Sequence, residues 1–115
     1  MVIRGLLDSG EKELATELAL KTVYSFNNKC SEFINPFDAS PHGVQKYAWS
    51  ASQYLELIIE VIFGVSVNAQ EKAVTISPNL DESLLNANIS LTNLQVFEDV
   101  YLSVFIEKGK ISYNV

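Results

Sequence analysis

Glu32, Asn35, Asp38 and His42 fall within residues 29–46, and Trp49 and Ser50 follow closely. These are the side chains best placed by type to move protons or hold a ligand. Taken alone, Glu32 reads as a solvated loop acid. Trp49, at the start of a helical pattern, reads either as a packing anchor or as a flat face for a ligand. His42 is the sole histidine, and no serine or cysteine pairs with it in a recognisable nucleophile pattern. One cysteine and one histidine cannot make a zinc site. Asp38 with Asp81 and Glu82 lacks the spacing of a calcium loop. The five glycines are scattered and form no phosphate-cradling loop. No metal and no cofactor is expected.

The elements that must position these groups read helices first. Residues 1–9 resemble the last turns of a helix, which Gly10 stops. Residues 11–26 form a second, with Leu14, Leu18, Thr22 and Phe26 recurring every four residues and Ala15, Ala19 and Val23 beside them. Residues 29–46, with Pro36, Pro41 and Gly43, read as an irregular loop, long for a simple link. Residues 47–63 form a third helix with a wide apolar stripe, closed by Gly64. Beyond it the period changes to that of strands. Residues 73–77 alternate, Ile89, Leu91, Leu94 and Val96 mark a strand with an irregularity near Asn93, and residues 100–106 are rich in β-branched and aromatic side chains. Lys108-Gly109-Lys110 is a hairpin turn into a last strand.

Composition narrows the partners. The 115 residues are 48% hydrophobic and 19% charged, with a formal net charge of −6. That is a globular composition. Its eight scattered basic residues do not suit a nucleic-acid backbone. The single Cys30 allows no internal disulfide and leans toward a reducing compartment. No signal peptide is visible, and the apolar run at residues 54–67 is short for a bilayer and broken by Glu56 and Glu60. The expectation is a cytoplasmic protein with neither a nucleic-acid nor a membrane partner.

One pattern joins several of these residues: Ser31-Glu32-Phe33-Ile34-Asn35-Pro36-Phe37, then His42-Gly43, then Tyr47-Ala48-Trp49-Ser50-Ala51. It resembles a signature of inverting glycoside hydrolases built on an (α/α)6 toroid, the mannosylglycerate and glucosylglycerate hydrolases, processing α-glucosidase I and trehalase-like enzymes. Glu32, Asn35, Pro36, Gly43, Trp49, Ser50 and Ala51 match. Residues 3–10 resemble the helix corner that precedes this loop. Ile34 stands where an aromatic is usual, and residues 37–41 replace a Thr-Gly turn, so the sugar stays open.

The resemblance implies Glu32 as the general base, with Asn35, Gly43, Trp49 and Ser50 binding a carbohydrate substrate. Inversion needs a second carboxyl as acid, about 6.5–9.5 Å from the first. No residue here matches the family's upstream aspartate; Asp38, six residues after Glu32, offers a second carboxyl by proximity alone, but the required separation with a sugar between is hard to build from one short loop. The fold expected is α+β: helical hairpins of a partial toroid over residues 1–66, then a small antiparallel β-element over residues 67–115. A chain that begins with a helix in progress is expected of a C-terminal fragment, inactive alone, whose partner is the missing N-terminal part of the toroid. The rival reading is a non-catalytic helical interaction module, whose apolar third helix seats a partner.

Overall fold

The computed structural model describes residues 2–27 and 29–115. Its chain divides into two compact units, Met1–Ile58 and Ile59–Val115.

The first unit begins with α1, Val2–Asp8, and α2, Lys12–Phe26. Gly10, at φ +84°, turns the chain between them. The Glu11 N–H donates to Leu6 O at 2.9 Å and the Gly10 N–H to Leu7 O at 3.0 Å. These paired bonds satisfy carbonyls that the end of α1 would otherwise leave open. In α2 the buried face is Ala15, Thr16, Ala19 and Leu20. Leu14, the first member of the four-residue series, is exposed. The small side chains Ala15 and Ala19 are both fully buried.

A hairpin follows where an irregular loop was expected. Strands β1, Phe33–Ile34, and β2, Pro41–His42, pair antiparallel. Further bonds extend the ladder at both ends, Asn35 N–H to Ser40 O at 2.9 Å, Glu32 N–H to Val44 O at 2.8 Å and Tyr47 N–H to Cys30 O at 2.6 Å. Helix α3, Ala48–Glu56, comes next and passes into a π-helical segment, Leu57–Ile62, within which the two units divide.

In the second unit β3, Val65–Asn68, and β4, Ala73–Ile76, form a hairpin. A short helix α4, Glu82–Leu85, is capped by the Asp81 carboxylate, which accepts the Leu84 N–H at 3.1 Å. Strands β5, Asn88–Phe97, β6, Val100–Glu107, and β7, Lys110–Asn114, make a sheet in that order. Leu102, Val104 and Ile106 alternate as the buried face of β6, and Val61, Ile62, Phe63, Val65 and Leu84 complete the buried set. The Asn79 side chain donates to Val61 O at 2.7 Å and its N–H to Ile62 O at 3.1 Å, closing the end of the π segment.

This architecture overturns the expected toroid. Rings of paired helices need long helices with broad apolar faces. Among the described residues the four α-helices run 7, 15, 9 and 4 residues, and α3 buries none of its own. The single β-element expected at the end is also corrected. Among the described residues seven strands form three antiparallel sheets, one of them inside the former loop. The α+β class survives but not the order of helices before strands, since β1 and β2 precede α3 and α4 lies among the strands; nor does the apolar stripe at residues 47–63 build a helical wall. Its N-terminal half stays half-buried or exposed, while Leu57, Val61 and Ile62 are buried after the helix has widened.

Candidate functional site

The hairpin at residues 30–47 brings several sequence-picked residues together, and local chemistry explains each. The Asn35 side-chain oxygen accepts the Phe37 N–H at 2.9 Å, so Asn35-Pro36 starts a turn. Asp38 holds the other side, accepting from the Ser40 hydroxyl at 2.7 Å and the Ser40 N–H at 2.9 Å. The Ser40 hydroxyl also meets His42 Nε2 at 3.0 Å, and the His42 ring stacks on Phe33 with centroids 6.0 Å apart.

Glu32 is exposed and works as a clip. Its own N–H bonds Val44 O, and its carboxylate accepts the Val44 N–H at 3.2 Å. Gly43, at φ +73°, lets that happen: a Cβ there would sit 2.6 Å from Glu32 Oε2 and 2.9 Å from the Phe33 ring. The Ser50 hydroxyl reaches the Glu32 backbone oxygen, not its carboxylate, at a long 3.5 Å. Trp49 is 78% exposed and its ring tilts against Tyr47 at 6.2 Å. Thus Glu32, Asn35 and Gly43 share one hairpin, and Trp49 and Ser50 share the first turns of α3.

A hollow of 230 Å³ lies beside Cys30, Pro41 and Lys46, and one of 50 Å³ lies between α2 and α3 and includes Ser50. The proximity reading of Asp38 as an acid also meets an obstacle. The Ser40 hydroxyl, then the Ser40 N–H, hold its carboxyl below the usual carboxylate range, His42 adding to the effect. A group held ionised is a poor proton donor near neutral pH. Among the described residues no cluster of three or more His, Cys, Asp or Glu gathers as a metal site. No described helix is long and apolar enough to cross a membrane.

The second unit holds a larger hollow of about 640 Å³. Val74 and Ile76 of β4 form one wall, and Val96, Phe97, Leu102 and Tyr113 of the three-stranded sheet form another. Lys72, in the β3–β4 turn, reaches its lining. Its size and apolar walls fit the range of sites that take small molecules or side chains. None of these residues was singled out in the sequence as a binding residue; Val96 was read only as part of a strand. The available signal was the alternation of Val74 with Ile76 and of Ile111 with Tyr113, which marks strands without saying that two sheets stand apart.

No family model, characterised protein or solved structure matches this chain. The resemblance to toroid hydrolases is therefore corrected. The matched residues build a β-hairpin and a helix start, and no solved toroid matches the chain.

Proposed function

We propose that the protein is a non-catalytic interaction module of the cytoplasm, and that it engages apolar groups of a partner in the hollow of its second unit. The observation that carries this is the 640 Å³ hollow with apolar walls on β4 and on the β5–β7 sheet. Exposed contiguous apolar surface is costly in water and marks sites that are covered on binding. Two of the residues that could do acid–base work carry structural duties, which supports this reading. Glu32 closes a hairpin and Asp38 builds its turn. The single free Cys30 suits a reducing interior.

Two measurements test the reading. An environment-sensitive apolar dye should titrate the folded protein saturably, and Val74→Glu should abolish the signal while far-UV dichroism is unchanged. Dye binding that never saturates, or that Val74→Glu leaves intact, overturns it. Aryl glycosides should show no turnover that Glu32→Gln removes; such turnover would restore an enzyme.

A further inference from the structure

The two edges of the three-stranded sheet differ. The outer edge of β5 is broken by register shifts between Leu91 and Leu94 and between Gln95 and Phe97. Such bulges are one way proteins keep an edge from pairing. The outer edge of β7 has no such device. Beyond Lys110 the strand reads Ile111-Ser112-Tyr113-Asn114, without charge or proline, and its pairing to β6 runs without a shift from Glu107↔Lys110 to Ser103↔Asn114.

The hydrogen-bond phase of β7 follows from its turn. Lys108 and Gly109 both have positive φ, 48° and 76°, as a two-residue type I′ hairpin requires. Glu107 and Lys110 then form a hydrogen-bonded pair, as do Phe105 with Ser112 and Ser103 with Asn114. The N–H and C=O groups of Ile111 and Tyr113 therefore point away from β6, toward the open edge.

The same two residues carry exposed apolar side chains on the core side of the sheet. Ile111 stands opposite Ile106 and Tyr113 opposite Val104. Ile106 and Val104 are fully buried, yet Ile111 is 48% exposed and Tyr113 64%. The core face continues onto β7 without a cover.

We infer that β7 pairs antiparallel with β7 of a second copy of this chain, joining two three-stranded sheets into one of six. A twofold axis perpendicular to the sheet sets the open Ile111 and Tyr113 backbone groups of each copy against those of the other. It also keeps both apolar rows on one face, so each row shields its twin. The charge pattern suits a self-pair. Centred near Tyr113, the contact brings no charged side chains together, and the two Lys110 lie at opposite ends. This rests on reading the protein as an interaction module and adds a second contact to it, at the sheet edge beside the hollow.

Sedimentation velocity from dilute to concentrated protein tests it. The mass should rise from one chain, 12.8 kDa, toward twice that. Tyr113→Lys should weaken the dimer about tenfold or more by setting like charges opposite, with unchanged dichroism and, at dilutions where the parent is one chain, an unchanged melt. Ile111→Lys serves as the second edge variant should the first misfold. Gln95→Lys, on the bulged edge, should leave the mass curve unaltered. A protein monomeric at every concentration overturns the pairing, as does a dimer that survives both β7 variants or is lost with Gln95→Lys. Saturable, Val74-dependent dye binding by a strict monomer sinks the β7 pairing alone, whereas its absence from that monomer sinks the module reading as well.

Discussion

Glu32 shows how one residue type supports two chemistries until its neighbours are known. A general base and a hairpin clip both need an ionised carboxylate with N–H donors. What separates them is whether the carboxylate borders a space that admits substrate and water. Here it meets the Val44 N–H across a glycine that has no room for a side chain. Gly43→Ala should therefore destabilise the hairpin by about 1–2 kcal/mol from left-handed strain, with the clash added. Glu32→Gln should cost well under about 1 kcal/mol, because an amide oxygen still accepts. Chemical denaturation of both variants checks the order. Gly64 is more demanding. A Cβ there would lie 1.8 Å from Ser77 O, at φ +62°, so Gly64→Ala should cost at least about 2 kcal/mol and lower the melting temperature most. Trp49, the only tryptophan, should be quenched readily by acrylamide in the native state, since its ring is open to water.

At the scale of elements, two side chains hold joints that regular structure leaves open. Asn79 satisfies Val61 O and, through its backbone, Ile62 O. Asn79→Ala strands the Val61 carbonyl and should cost about 1–3 kcal/mol by thermal or urea unfolding. Asp81 caps α4, and the Ser83 hydroxyl, ahead of the Leu84 N–H, holds its carboxyl below the usual range. A depressed acid stabilises the fold above its unfolded pKa of about 4 and loses that contribution as the pH falls through the lowered value. The melting temperature of Asp81→Asn should accordingly fall less steeply than that of the parent between neutral and strongly acid pH. The β5 bulge does a different job. Asn93 takes φ 57°, and its N–H reaches the Ser103 hydroxyl at 3.2 Å. The extra residue shifts the phase, so that Ile89 and Leu91 before it and Leu94 and Val96 after it all lie half-buried.

At the scale of the whole molecule, the chain builds two units with different kinds of burial. The first relies on small residues in α2 and on a hairpin whose aromatics stay outside, Phe37 being 96% exposed. The second has a β-branched core centred on Val104 and Ile106. Ile106→Ala should cost about 2–5 kcal/mol, read on unfolding of the sheet. Much of the second unit was legible in advance. The strands at residues 73–77 and 100–106, the irregularity near Asn93 and the turn at Lys108-Gly109 all follow from alternation and turn chemistry, which act over a few residues. The stop at Gly10 was legible for the same reason. The hairpin of residues 30–47 was not, because two-residue strands have no period to read.

The amino-acid order alone settled the strands at residues 73–77 and 100–106, and the turns at Gly10 and Lys108-Gly109. These depend on local geometry and on the spacing of apolar side chains. Only the folded chain decided that the Glu32 carboxylate accepts the Val44 N–H, and that β4 stands off from the sheet with apolar walls between. It alone decided that the core face runs uncovered onto β7. Those outcomes depend on contacts between residues far apart in the chain, which neither spacing nor a matching motif specifies.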